Sequence, residues 1–284
     1  MVLPRILTAV ILVPLVLAIV WFGSIPYFLF VTGVSLIAIW EFCSMAEEGG
    51  YPNQLFMALF GGLVVMLSLY LDGAPVGPIA KAPGPIFIFL LWTFAVFVRE
   101  FFRADKGHSF LRVVTTVSSV VFLALSLGHL VLLRDLRAAS GEGFRPVGRE
   151  LTFFLLVIIW TVDTGAWVVG RAIGKHKLAE MISPKKSWEG AIGGTILACG
   201  FAWLYREAFL SASMGRVEAI VMAFFVAVAA QFSDLIESLI KRSFGAKDSS
   251  QLLPGHGGVL DRFDSFIFAA PFYYYMLVGT GRFQ

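Results

Sequence analysis

The chain has 284 residues, of which 58% are hydrophobic and 14% are charged. Charged residues make up about a quarter of an ordinary soluble domain, so this composition indicates an integral membrane protein. The formal net charge of +3 is too small to suggest nucleic acid as a partner, and we expect none.

The first apolar segment, residues 1–22, has the hydropathy of a signal peptide. It lacks a small-x-small cleavage site after the apolar run, and it leads straight into a second apolar segment. We therefore expect this segment to be retained as a transmembrane helix.

Further apolar segments follow along the whole chain. A helix needs about 20 mostly apolar residues to cross roughly 30 Å of hydrocarbon. On that basis the sequence predicts an all-α, polytopic integral membrane protein with about nine transmembrane helices. A count one lower is the alternative, because the break at Ser24–Pro26 is tight and the fourth segment is short. The predicted spans are residues 5–22, 25–42, 54–71, 84–98, 110–133, 150–171, 188–206, 217–240 and 263–280.

The Lys and Arg residues between these spans predict the orientation of the chain. The amino terminus and the loops near 44–53, 99–109, 171–187 and 241–262 carry more of them than the opposite side does. The richer side usually faces the cytoplasm. We therefore expect a multi-pass protein of the cell (inner, cytoplasmic) membrane with its active site facing the cytoplasm, although the arginines in the loop at 134–149 count against this orientation.

Ionisable residues inside the predicted spans are concentrated in the second half of the chain. Such residues are unfavourable in hydrocarbon and normally serve a function. We therefore predict an N-terminal transmembrane scaffold of about five helices at residues 1–149. A C-terminal catalytic domain of about four transmembrane helices and cytoplasmic loops would then occupy residues 150–284.

The sixth predicted span carries Asp163, which the same reasoning marks as a candidate binding residue. The segment at 170–176 superficially resembles a nucleotide P-loop. Its glycines are one residue too close, and His176 replaces the hydroxyl residue that would hold Mg²⁺, so we reject this interpretation. The sequence contains neither HExxH nor GxSxG, and Cys43 and Cys199 lie in apolar segments, so zinc-site, serine-hydrolase and disulfide interpretations lack support.

The segment SPKKSWEG, which begins at Ser183, predicts the start of the seventh span. Ser183 followed by Pro184 is a favourable N-cap and first-turn pair. This places Lys185 and Lys186 near a helix N-terminus, where anions are favoured and cations are not. An anion bound between the two lysines would explain them, and the positive-inside bias is the alternative.

Small residues recur along the seventh span. Gly190, Gly194 and Ala198 stand at i, i+4 and i+8 and therefore share one face of the helix. Such a stripe predicts close packing against a neighbouring helix rather than a chemical role.

The eighth predicted span contains Asp234 and Glu237. An ionisable residue at this depth costs about 2.5–3.5 kcal/mol on insertion scales and normally marks a site. Asp234, Ser238 and Lys241 recur at i, i+4 and i+7, so they share one helix face. A snorkelling helix end would explain Lys241 and Arg242 but not Asp234, which lies deeper. We predict a functional role for Asp234 and leave Glu237 open between function and structure.

The LPGHGG segment that follows predicts a compact turn. Gly257 and Gly258 permit backbone angles closed to other residues and let the phosphates of a ligand approach main-chain N–H groups. His256 in this turn is open between a structural role and ligand contact.

Asp261 and Asp264 stand at i and i+3 where the ninth span begins, so both side chains can point the same way. A charged helix start is the alternative explanation, because Asp is favoured there. Paired carboxylates with open positions suit Mg²⁺, whose remaining ligands are usually phosphate oxygens and water. We therefore predict a metal site made by Asp234, Asp261 and Asp264, with Arg262 available to neutralise a phosphate.

From Ser238 to Asp264, the sequence SLIKRSFGAKDSSQLLPGHGGVLDRFD resembles the signature of the phosphatidate cytidylyltransferases, or CDP-diacylglycerol synthases. SPKKSWEG and the DTGAW, GR and GKHKL segments are similar to accompanying motifs of that family, with Ser187 where Thr is common. The resemblance covers roughly residues 150–270, and the first half of the chain matches only in hydrophobic character. The matching signature positions are Ser238, Lys241, Arg242, Lys247, Asp248, His256, Gly257, Gly258, Asp261, Arg262 and Asp264.

This resemblance implies an Mg²⁺-dependent nucleotidyltransferase of phospholipid biosynthesis. Its substrates would be CTP and phosphatidic acid in the bilayer, and its products CDP-diacylglycerol and pyrophosphate. It further implies K⁺ as a candidate second cation, membrane lipids as the surroundings and a homodimer as the assembly.

The resemblance, together with motif position and sign of charge, gives each of these residues an expected role. Asp248 and His256 would either order the loop or contact a ligand. The implied metal ligands are Asp234, Asp261 and Asp264, and the implied catalytic residues are these three with Lys241, Arg242, Lys247, Asp248, His256 and Arg262. The implied substrate-binding residues are Asp163, Lys185, Lys186, Ser187, Ser238, Gly257 and Gly258.

Two other functions are weighed against this one. A secondary transporter could use the same intramembrane carboxylates, but it predicts broken helices in paired halves, and the sequence contains no such repeat. A CDP-alcohol phosphatidyltransferase would need an upstream DG–AR half before its aspartate pair, and that half is absent from the sequence.

Overall fold

A computed structural model describes residues 3–73, 84–140, 143–252 and 257–283 of the chain. Within these ranges the chain forms ten α-helices and two antiparallel hairpins. The helices are α1 (Leu3–Phe22), α2 (Ser24–Glu48), α3 (Leu55–Gly73), α4 (Pro85–Phe101), α5 (Ser109–Ser119), α6 (Ser126–Asp135), α7 (Gly148–Ile173), α8 (Trp188–Tyr205), α9 (Arg216–Ser243) and α10 (Leu260–Gly279). The strands are β1 (Arg137–Ser140), β2 (Gly143–Pro146), β3 (Lys177–Ala179) and β4 (Ser183–Ser187).

The apolar segments of the sequence form helices, as predicted. The fifth segment is α5 and α6 joined by a π-helical turn at Val120–Leu125. The chain is therefore an all-α membrane protein. Among the described residues, five helical stretches are long and apolar enough to cross a bilayer, and the prediction of nine spans is not confirmed by them. These stretches are Ile25–Glu48, Leu55–Asp72, Ser109–Asp135, Gly148–Ile173 and Arg216–Ser243.

The chain divides into two compact units, each made from two separate parts of the sequence. Unit 1 comprises Met1–Leu132 and Lys241–Phe263, and unit 2 comprises Leu133–Ile240 and Asp264–Gln284. The charged segment after α9 therefore groups with the first half of the chain. The division at residue 149 was a prediction about where the chemistry lies, and it stays a prediction.

Unit 1 is held by an apolar core that encloses buried polar contacts. Ile39 of α2, Met66 of α3 and Leu123 of the π-helical turn are completely buried. Nearby, the guanidinium of Arg112 pairs with the carboxylate of Glu100 at 3.0 Å, and both side chains are less than a tenth exposed. A buried charge of this kind is tolerated only when a partner compensates for the lost water.

Unit 2 is built around the close packing of α7 against α8. The small residues of α8 face α7, and Gly194 and Ala198 are buried there. A Cβ atom on Gly194 would lie 2.5 Å from the carbonyl oxygen of Val162 and 2.8 Å from the backbone nitrogen of Ala166. The predicted packing role of the small-residue stripe is thereby confirmed, because only glycine permits this approach.

A substitution pair on α8 tests this packing. Gly194→Ala should lower the unfolding temperature of the purified protein in detergent, because the added methyl meets backbone atoms and overpacking costs about 1–3 kcal/mol. Gly200→Ala is the matched control, since a Cβ atom there meets nothing within 4 Å. It should leave the unfolding temperature unchanged or raise it, because Ala is the better helix former. Equal unfolding temperatures for the two variants would contradict this account.

Candidate active site

A polar cavity of about 330 Å³ lies in unit 2. Its wall is formed by α7, the β3–β4 hairpin, the start of α8 and the middle of α9. Five residues selected from the sequence line this cavity together, although they are up to 71 positions apart in the chain (163 to 234). They are Asp163, Lys185, Lys186, Ser187 and Asp234.

The two lysines reach the cavity from a strand, which corrects the prediction that Ser183–Pro184 starts a helix. Ser183 pairs with Ala179 and Ser187 pairs with Lys177 across the β3–β4 hairpin. The helix begins at Trp188 instead, with Ser187 as its N-cap, whose hydroxyl accepts a hydrogen bond from the Gly190 N–H at 3.2 Å. Cross-strand pairing therefore prevailed over the local Ser-Pro capping signal.

The hairpin is anchored to α8 by Glu189. The Glu189 carboxylate accepts hydrogen bonds from the backbone N–H groups of Lys175 and His176 and lies 2.6 Å from the Nδ1 atom of the His176 ring. The GKHKL segment thus holds the hairpin that carries Lys185 and Lys186, which gives it a structural role.

Lys186 and Asp234 form an ion pair across the cavity. The Nζ atom of Lys186 lies 2.5 Å from Oδ2 of Asp234, and the two side chains are 26% and 28% exposed. The hydroxyl of Ser238 lies 3.4 Å from the other oxygen of Asp234. Both charged groups therefore remain accessible to a ligand while each restrains the other.

Asp234 lies near enough to Asp264 for its negative charge to act on the carboxyl group of that residue, and the charges of Glu237 and Asp163 act on it as well. The backbone carbonyl of Asp264 accepts a hydrogen bond from the hydroxyl of Ser233, which fixes α10 to α9 at this point. Carboxylates gathered in this way repel one another unless a cation lies among them, and Lys186 supplies one positive charge.

Carboxylate oxygens such as those of Asp234 and Asp264 are the ligands that Mg²⁺ prefers. Across the described residues, no three His, Cys, Asp or Glu side chains already converge as an ion site. The metal role of Asp234, Asp261 and Asp264 therefore stays a prediction.

Unit 1 contains a second group of the selected residues, centred on Asp261. Lys241 contacts Oδ1 of Asp261 at 2.5 Å, and the two side chains are 10% and 7% exposed. The other oxygen, Oδ2, accepts hydrogen bonds from the backbone N–H groups of Ser249 and Gly258, both at 2.9 Å, and contacts the Ser249 hydroxyl at the same distance. Burial opposes ionisation, but Lys241 and these N–H donors hold the pKa of Asp261 below its usual value. The side chain of Asp261 is therefore ionised and held in one position by these contacts.

This arrangement also corrects one alternative drawn from the sequence. Lys241 is buried and paired, so it is not a snorkelling side chain at the end of α9. Arg242 is exposed, and its guanidinium donates to the carbonyl of Ala246 just beyond the helix.

The remaining signature residues lie on the segment between α9 and α10 or, in the case of Arg262, in the first turn of α10. Lys247, Asp248 and Arg262 are exposed, and they are available to a ligand. Gly257 has a φ of +79°, which confirms that this turn needs glycine. His256 and the residues from Leu253 to Gly255 lie outside the described residues.

The sequence analysis missed one residue of unit 1. Glu41 of α2 is completely buried, and its carboxylate contacts the segments on both sides of the glycine turn. An acidic residue inside a predicted span was the available signal, and the same reasoning that selected Asp234 applies to it. It was passed over because the first half of the chain was treated as scaffold.

Comparisons with known proteins identify the family of the chain. Residues 3–279 match the model of the cytidylyltransferase family. The chain is 30% identical to the phosphatidate cytidylyltransferase of Bacillus subtilis (strain 168), with 96% of each chain covered. It is 33% identical to the protein of that name from Brucella suis biovar 1, with 95% of this chain and 91% of the relative covered. It is 31% identical to that of Haemophilus influenzae, with 95% and 96% covered.

These matches extend over both halves of the chain, including the first half, where the sequence motifs were uninformative. They show that the chain belongs to the cytidylyltransferase family.

Proposed function

We propose that this chain transfers CMP from CTP to phosphatidic acid, forming CDP-diacylglycerol and pyrophosphate for phospholipid biosynthesis. Relatives at 30–33% identity over nearly the whole chain carry the name of this activity. The structural observation that carries the proposal is that a charged cavity and an apolar groove adjoin each other in unit 2.

The groove has a volume of about 580 Å³ and shares Leu178, Ala191 and Gln231 with the polar cavity. A substrate that joins a phosphate to acyl chains needs both surroundings at once, because the phosphate requires cations and the chains require apolar contact. The other residues that line the groove include Trp188, Ile192, Ile196, Phe224, Phe232 and Leu235.

The reaction is a phosphoryl-type substitution at the α-phosphorus of CTP. An oxygen of the lipid phosphate forms the new bond to this phosphorus, and the bond to the β-phosphate oxygen breaks in line with it, which releases pyrophosphate. The attacking oxygen is already ionised near neutral pH, since the second pKa of a phosphate monoester is about 6. No strong general base is needed, so the protein contributes mainly positioning and charge stabilisation.

Cationic side chains compensate for the charge of two phosphate-bearing substrates. Lys185 and Lys186, with the Ser187 hydroxyl, bind the nucleotide or the lipid headgroup at the polar cavity. The side chains assigned to the phosphates of CTP and to the leaving pyrophosphate are Lys241, Arg242, Lys247 and Arg262.

Mg²⁺ is the proposed cofactor, with K⁺ as a candidate second cation. The residues that would hold Mg²⁺ are Asp234, Asp261 and Asp264, and the ion would neutralise phosphate oxygens during the transfer. We further propose that the protein works as a homodimer, as the family resemblance implies. The distribution of Lys and Arg supports a location in the cell membrane with the active site facing the cytoplasm.

The nucleotide preference provides the most direct test of the activity. Purified protein receives phosphatidic acid, Mg²⁺ and either CTP or dATP labelled at the α-phosphate. We expect label to enter a lipid-extractable product from CTP alone. Transfer from dATP at a similar rate, or transport of a solute without consumption of CTP, would contradict the proposed function.

The lysines of the β3–β4 hairpin provide a second test. Lys185→Ala should raise the KM for CTP by about 10-fold or more, because a hydrogen bond to a charged group contributes about 1.5–3 kcal/mol. Lys175→Ala is the matched control, since Lys175 lies on the same segment but does not line the cavity. An unchanged KM in Lys185→Ala would leave the positive-inside bias as the explanation for this lysine.

The proposed metal ligands predict a dependence on Mg²⁺. Removal of divalent ions with a chelator should abolish transfer, and added Mg²⁺ should restore it. Asp234→Asn should raise the Mg²⁺ concentration needed for half-maximal activity by about 10-fold or more, because the variant keeps the shape but loses the charge. An unchanged Mg²⁺ dependence in a folded Asp234→Asn protein would remove Asp234 from the metal role.

A further inference from the structure

We propose that Glu41 of α2 is a positioning residue for the transfer reaction, because its buried carboxylate sets the geometry of the segment that holds Asp261 and Lys241. The inference rests on the proposed function, and it assigns a role to the first half of the chain.

Glu41 lies in the interior of unit 1 and is completely buried. Its Oε1 atom lies 2.6 Å from the hydroxyl of Ser250 and accepts the N–H of Val259 at 2.9 Å. Its Oε2 atom lies 3.1 Å from the hydroxyl of Ser249 and accepts the N–H of Leu260 at 2.7 Å. These four contacts occupy both oxygens of the carboxylate.

The four donors come from two segments that flank the glycine turn. Ser249 and Ser250 precede the LPGHGG segment, whereas Val259 and Leu260 follow it, and α10 begins at Leu260. One side chain of α2 thus contacts the chain on both sides of this segment. It also caps the N-terminus of α10, where unsatisfied N–H groups and the helix dipole favour a negative charge.

Ser249 links Glu41 directly to Asp261. Its hydroxyl lies 3.1 Å from Glu41 and 2.9 Å from Asp261, and its single proton can be donated to only one of these carboxylates at a time. The backbone N–H of the same residue donates to Asp261. A shift of Ser249 therefore changes the donors around both carboxylates together.

The packing at Gly258 leaves little freedom for this arrangement. A Cβ atom at Gly258 would overlap the Ser249 hydroxyl and lie 2.6 Å from Oε1 and 2.7 Å from Oε2 of Glu41. The Gly258 N–H meanwhile donates to Asp261 at 2.9 Å. Glu41, Ser249 and Gly258 thus form one contact cluster in which each position depends on the others.

This cluster explains why a carboxylate is buried within the apolar part of α2. Burying a carboxylate carries a large desolvation penalty, and an apolar residue of similar size is often at least as favourable for stability. The carboxylate gains directional contacts to four donors that an apolar residue could not make. Its role is therefore the placement of Asp261 and, through the ion pair, of Lys241.

The test compares Glu41→Gln and Glu41→Asp with Glu48→Gln, a control on the same helix at an exposed position. In Glu41→Gln an amide NH₂ group replaces one acceptor oxygen. This group is itself a hydrogen-bond donor, so it would face the hydroxyl and N–H donors that now contact Glu41. We expect kcat to fall by about 10- to 100-fold in Glu41→Gln, while the KM for CTP changes by less than about 3-fold. Glu41→Asp keeps the charge and should recover part of the lost kcat. Glu48→Gln should match the wild type in every measurement.

A second variant keeps the test decisive if Glu41→Gln does not fold. Ser250→Ala removes one donor to Glu41 from a half-buried position and should lower kcat, measured per folded protein, by about 3- to 10-fold. Unchanged kcat in the folded variants, or a loss that merely follows the loss of folded protein, would overturn the positioning role alone. A wild-type protein that transfers no CMP would overturn the proposed function and this inference with it.

Discussion

The structure depends on compensation for buried charge. A carboxylate removed from water is tolerated only where fixed donors or cations replace the lost hydration. Glu41 and Asp261 meet this requirement in unit 1 through hydroxyls, N–H groups and Lys241. Asp234 meets it in unit 2 through Lys186. The donors of Glu41 and the lysine partners of Asp261 and Asp234 come from other segments of the chain, so the requirement also ties those segments together.

The same requirement bears on the chemistry that the family performs. A transfer between two phosphate-bearing substrates needs cationic side chains that are fixed in position and accessible to the substrates. Side chains that are already fixed need no reorganisation during the reaction. The half-buried ion pair between Lys186 and Asp234 has this character, and the adjoining apolar groove suits the acyl part of a lipid. Asp261, by contrast, has its oxygens occupied by donors of the protein, so any ligand there must share them.

Much of this could be predicted from residue order. The apolar segments became helices, because hydrocarbon-sized apolar runs have few other ways to satisfy their backbone. The packing stripe on α8 followed from the spacing of small residues. The prediction failed at Ser183–Pro184, since the capping signal is local whereas the β3–β4 pairing depends on residues on the other strand. It missed Glu41, whose donors lie more than 200 positions away in the chain.

The sequence by itself determined the class of protein, the helical segments and the family, because composition, hydropathy and motif spacing are properties of residue order. Only the tertiary structure decided which charges meet. It joined Lys186 with Asp234 and Lys241 with Asp261, and it brought a carboxylate of α2 to the start of α10. The physical reason is that a buried ion pair or hydrogen bond forms according to distance in space, and nothing in the spacing of the motifs encodes that distance.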